Sequence, residues 1–154
     1  MKSRRRKKEK PDNRRSTGRN KSAGPGHGLP IGLSSKFERE VPFEWTIASY
    51  DSRLPAVFST PSMIGMMEVA AAQAIAPHLP EGSISVGTRI EVDHLKAVPQ
   101  GAIVVAHAKL TGSRGRFLMF AAEARSGDVV IGRGKVFRAI VPLAPFHDKA
   151  SARR

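Results

Sequence analysis

The chain has 154 residues, 40% of them hydrophobic and 25% charged, enough for one domain with a buried core. Lys and Arg number 26 against 13 Asp and Glu, a formal net charge of +13, and the absence of cysteine excludes disulfides, thiolate metal sites and cysteine nucleophiles. No apolar run reaches the length of a membrane-spanning helix, and the basic start lacks the apolar stretch of a secretory signal, so a cytoplasmic protein without membrane insertion is expected.

The charge is unevenly placed. Residues 1–22 hold eleven Lys and Arg against two acids, whereas residues 23–146 carry a net charge of only +2. Residues 1–30 have almost nothing to bury and read as a disordered basic arm, residues 31–146 as the folded domain, and residues 147–154 as a flexible basic tail. The run Arg4-Arg5-Arg6-Lys7-Lys8 is either a solvated tail or a contact for nucleic acid or an anionic surface. The near-neutral body, with few aromatics for base stacking, argues against nucleic-acid binding as the main function.

Lys36–Thr46 reads as a strand, with Phe37, Val41, Phe43 and Trp45 at odd positions. Ala48–Ala56 is irregular, with Pro55 near its end. Pro61–Ala76 is rich in Ala and Met and predicts a helix; the Thr60 hydroxyl would cap it, Pro61 suits its first turn, and Pro77 and Pro80 end it. Being apolar nearly all round, this helix is expected to be buried. Ser83–Leu95 alternates, with Ile84, Val86, Ile90 and Val92 on one face and Ser85, Arg89, Glu91 and Asp93 on the other. Strands Ala102–Thr111, Phe117–Arg125 and Val129–Val141 follow, joined by short turns that make them antiparallel. The expected class is α+β, one long helix on one face of a curved antiparallel sheet.

Five residues stand out chemically. Glu68 sits mid-helix among Met66, Met67 and Val69, where a carboxylate is costly unless paired; it is either a structural ion-pair partner or a general base. His94 continues the even-numbered face of its strand and, without a bulge, points toward the helix, as a packed strand-end residue or as an acid–base group. Arg138 shares its face with Val130, Val136 and Ile140, so its guanidinium also points inward and needs an anion or carbonyl, Glu68 included. Thr60 is a cap that is also placed to orient a carbonyl at a helix start. Gly87 interrupts its strand and marks a bulge or a close approach to the backbone. The histidines show no metal-ligand spacing, so neither metal nor cofactor is expected.

The run Phe58-Ser-Thr-Pro-Ser-Met-Ile-Gly-Met-Met-Glu68-Val-Ala-Ala-Ala resembles the helix of the fluoroacetyl-CoA-thioesterase-like branch of the hot-dog-fold acyl-CoA thioesterases. Ile75-Ala-Pro-His-Leu-Pro-Glu-Gly, Ser85-Val-Gly-Thr-Arg-Ile-Glu-Val-Asp-His94 and Ala97-Val-Pro-Gln-Gly101 resemble the same branch in the same order. The resemblance covers roughly residues 35–141 and includes the spacing from Thr60 to Glu68 and from Glu68 to His94. It implies a hot-dog fold and an acyl-CoA thioester hydrolase. It also implies a catalytic trio of Thr60, Glu68 and His94, with substrate contacts at Gly87 and Arg138, and a homodimer with its sites at the subunit interface.

The fluoroacetyl enzymes of that branch have an aromatic lid before the helix. The aromatics here, Phe37, Phe43, Trp45 and Tyr50, fall in another pattern, and Ser-Thr-Pro stands where those enzymes have Thr-Gly. A general thioesterase acting on small or medium acyl-CoA is therefore the expectation. The competing expectation is a non-catalytic hot-dog module that binds acyl-CoA or a regulatory partner. Such a module would have no need of Glu68 and His94 together.

Overall fold

The computed structural model describes residues 28–144; residues 1–27 and 145–154, which hold most of the basic arm and the whole basic tail, lie outside the described residues. Its elements are β1 (Ser34–Glu40), α1 (Thr60–Ile75), β2 (Ser83–His94), β3 (Ile103–Arg114), β4 (Phe117–Ser126) and β5 (Val129–Pro142). The five strands form one antiparallel sheet in the order β1-β3-β4-β5-β2, and α1 packs on one face of it. This is the α+β arrangement expected from the sequence.

The first strand is shorter than its periodicity implies. It stops at Glu40, and Pro42, which has no N–H for a ladder, leads into single 3-10 turns at Phe43–Trp45 and Ile47–Ser49. The Thr46 hydroxyl, fully buried, donates to the Phe43 carbonyl at 2.7 Å and closes the first of these turns. Trp45 thereby approaches Phe58, with ring centroids 6.4 Å apart. Phe37 lies in β1 as expected, whereas Phe43 and Trp45 fall in these turns and not in an extended strand.

Helix α1 begins one residue earlier than expected, and its cap is Ser59. The Ser59 Oγ accepts the Ser62 backbone N–H at 3.3 Å and donates to the Ser62 hydroxyl at 2.9 Å. Met63, Met66, Met67, Ala70, Ala71, Ala74 and Ile75 form the buried stripe, each spaced three or four residues from the next turn's member. Each buried methionine contributes about 1.5–3 kcal/mol. The helix is not buried all round, since Ile64, Gly65 and Glu68 are half-buried and Val69 is exposed.

Small residues bring the helix close to the sheet. Ala106, Ala108, Ala122 and Ala124 alternate along β3 and β4 beneath it and leave room for the methionines. At Gly132 a Cβ would lie 2.7 Å from Met63 Cε. The β3 strand runs through to Arg114, past the expected turn start at Gly112; a bulge between Leu110 and Gly112 shifts the register by one residue and pairing with β4 then continues to Arg114.

Gly134 is a sharper case. A Cβ there would fall on the Glu91 carbonyl oxygen and within 2.6 Å of Val92 Cα, both backbone atoms of the neighbouring strand. Gly134→Ala is expected to lower stability by about 1–3 kcal/mol, because a β2–β5 ladder cannot yield as a side chain does. Urea or thermal unfolding of the variant against wild type checks this.

Candidate functional site

Strand β2 carries the main departure from the simple alternating pattern. The pairing with β5 runs Ser85 to Ile140 and Gly87 to Arg138, then resumes with Arg89 to Phe137 and His94 to Gly132. Thr88 is the extra residue, and it reverses the facing of everything before it. Ile90, Val92 and His94 share the helix-side face, as expected. Ser85 and Gly87 join them there, whereas Ile84 and Val86 turn away, contrary to the expected alternation.

Gly87 now faces Glu68 directly. A Cβ at Gly87 would collide with Glu68 Oε1 and lie 3.2 Å from Cδ, so the missing side chain is the space the carboxylate occupies. Arg138, paired with Gly87 in the ladder and only 7% exposed, supplies the counter-charge. Its Nη1 lies 3.6 Å from Glu68 Oε1 and donates to the Glu68 carbonyl at 3.4 Å. Its Nε donates to the Ser85 hydroxyl at 3.0 Å, and Nη2 to the Ser85 carbonyl at 2.9 Å. Burial pushes the guanidinium below its ordinary pKa and the Glu68 charge pulls it back up, and an arginine remains a cation throughout. Ser85 escaped the sequence reading because the bulge that turns it inward leaves no compositional mark.

Thr60 and His94 form a second centre. With Ser59 as cap, the Thr60 hydroxyl is available to His94, and Thr60 Oγ1 lies 2.9 Å from His94 Nδ1. The imidazole meets Phe58 edge-on at 6.4 Å, which fixes the ring plane. Its other nitrogen, Nε2, is buried and has no hydrogen-bond partner among the described residues. A buried orphan nitrogen at the end of a strand is the feature of this region most in need of a ligand. Thr60 and His94 open on a cavity of about 320 Å³ walled by Ile47, Val57, Phe58 and Leu95.

The two centres are separate within one protomer. Eight residues of helix put Thr60 and Glu68 about 12 Å apart along the axis. The β5 partners of Gly87 and His94 are six residues apart, about 20 Å along the strand. One protomer therefore brings Thr60 to His94, and Glu68 to Gly87 and Arg138, but it does not bring the carboxylate to the imidazole. Among the described residues no cluster of three His, Asp or Glu side chains could hold a metal ion, and no helix is long and apolar enough to cross a membrane.

Residues 41–144 match the family described as fluoroacetyl-CoA-specific thioesterase. The chain is 40% identical over 98 residues to the fluoroacetyl-CoA thioesterase of Streptantibioticus cattleyicolor, covering 64% of this chain and 70% of that one. A solved structure of a fluoroacetyl-CoA thioesterase superposes with a TM-score of 0.76 at 33% identity, covering 82% of this chain and 98% of the other. A hot-dog-like protein from Thermanaerovibrio acidaminovorans superposes at 0.74 with 22% identity, covering 81% and 93%, a likeness of fold alone. With most of its folded part matched and its helix and sheet in the same arrangement, the chain belongs to the fluoroacetyl-CoA-specific thioesterase family and is a hot-dog-fold thioester hydrolase.

Proposed function

We propose that this protein hydrolyses small acyl-CoA thioesters, and that a complete site joins the Thr60–His94 pair of one protomer to Glu68 of the partner subunit in a homodimer. The observation that carries the reading is the buried, unpartnered His94 Nε2 behind a Thr60 hydrogen bond. When the Thr60 hydroxyl donates to Nδ1, the ring proton resides on Nε2, which is then a donor for the thioester carbonyl or the departing sulfur.

Glu68 supplies the opposing function. Its carboxylate takes a proton from the water that attacks the carbonyl carbon, or adds to that carbon itself to form an anhydride that water then opens. In either route the carbon–sulfur bond breaks, the thiolate takes up a proton and the acid is released. Arg138, fully engaged by Ser85 and Glu68, acts as a positioning residue for the carboxylate, and the Gly87 backbone lies against the same group.

Two features support the dimer. Strand β2 is an edge of the sheet, twelve residues long, with one side of its backbone unpaired among the described residues. Thr60, Ile64 and Glu68 form an i, i+4, i+8 stripe on α1, so a two-fold along that edge would set the stripe of one copy against its equivalent. Ile47, Val57, Phe58, Leu95 and Ala97 give the room around Thr60 and His94 an apolar wall that suits a small acyl group. Of the aromatics before the helix, Tyr50 is 68% exposed and Phe43 47%.

Three outcomes are expected. In an assay of thiol release from a series of acyl-CoA esters, Glu68→Gln loses roughly 10²–10⁴ in turnover with its fold intact; near-wild-type hydrolysis would overturn the proposal. Gly87→Ala displaces the flexible carboxylate and not the backbone, so activity falls about tenfold or more while the melting temperature drops less than in Gly134→Ala, whose new side chain meets backbone atoms. Mixing the inactive Glu68→Gln and His94→Ala proteins after subunit exchange restores about a quarter of wild-type activity, because half the sites in a mixed dimer are intact. No recovery from exchanged subunits would place all three groups in one chain.

A further inference from the structure

The turn after β2 places one cation beside the Thr60–His94 pair. Leu95 and Lys96 both donate their backbone N–H to the Ile131 carbonyl, at 2.7 and 3.2 Å, which turns the chain out of the ladder. Two residues on, the Val98 carbonyl accepts the Phe58 N–H at 2.7 Å, next to the start of α1. Lys96 is thus carried on a short segment pinned at both ends, and it lines the cavity that holds Thr60 and His94. It is exposed at the mouth, is the only lysine or arginine lining that cavity, and forms no ion pair with a carboxylate among the described residues.

We propose that Lys96 recognises an anionic group carried by the thioester substrate. This rests on the thioesterase reading above and adds a recognition element to it. A flexible ammonium two residues from the imidazole reaches the terminal carboxylate of a short dicarboxylic acyl chain, and equally a phosphate of the coenzyme folded over the mouth. The shared chemistry is a charge-assisted contact to an oxyanion. Because Lys96 is solvated before substrate arrives, no buried charge has to be created. The contact forms on binding and strengthens no further in the transition state, so it acts on KM and not on kcat.

The test uses the full-length protein, wild type against Lys96→Ala, Lys96→Glu and Lys96→Arg, with four thioesters: acetyl-CoA, succinyl-CoA, and the N-acetylcysteamine thioesters of acetate and succinate, which lack phosphate. Lys96→Ala is expected to raise KM about tenfold for the esters carrying the recognised anion with kcat nearly unchanged, Lys96→Glu more, and Lys96→Arg to restore most of the loss. A defect with both CoA esters and neither cysteamine ester assigns the contact to phosphate. A defect confined to the two succinyl esters assigns it to the acyl carboxylate. Unchanged KM for all four overturns the proposal and leaves hydrolysis standing. If wild type hydrolyses none of them, the small-acyl reading of the substrate fails by itself. Calorimetric binding of acetyl-CoA and succinyl-CoA then decides the role of Lys96, since equal affinities in wild type and Lys96→Ala overturn it.

Discussion

A carboxylate placed where a helix lies against a sheet needs volume and a counter-charge, and here both come from one rung of one ladder. Gly87 gives up its side chain, Arg138 opposite it reaches across, and Glu68 occupies the space between. Either element without the other would leave the acid costly. A larger residue at Gly87 would expel it, and an apolar residue at Arg138 would leave the charge half-buried and unpaired. Ser85 completes the arrangement by taking two of the guanidinium's donors, so the cation is held by the sheet before it meets the helix.

The same ladder explains why the protomer carries two separate centres. The bulge at Thr88 sets the depth at which the acid sits, while the end of the strand, six pairs away, sets His94 against the start of α1. Helix and strand each carry one member of both centres, and both run too straight to fold their ends together. Apposition of a second copy along the free edge of β2 offers a way to join unlike halves without bending either element.

Much of this was legible in the sequence. The helix announced itself through its Ala and Met content between prolines, and the short turns marked the antiparallel run of β3, β4 and β5, but not the crossovers that set β2 beside β5 and β1 beside β3. Glu68 and Arg138 stood out because ionisable residues were placed among apolar ones. What failed to show was local. The strand ending at Glu40 looked longer because Phe43 and Trp45 keep a two-residue rhythm while packing in tight turns. Ser85 and Gly87 changed face through a bulge, which has no signature in residue type. The separation of Glu68 from His94 was hidden as well, since a motif records spacing along the chain and says little about distance in the fold.

Ser59 and Thr60 are adjacent hydroxyl residues at the head of α1 with different partners. The first satisfies backbone amides, and the second faces the imidazole. A lone hydroxyl asked to do both would tie the integrity of the helix to the reactivity of the histidine, so that any change improving one would disturb the other. Dividing the tasks between neighbours frees the second position to drift or be redesigned while the scaffold keeps its anchor.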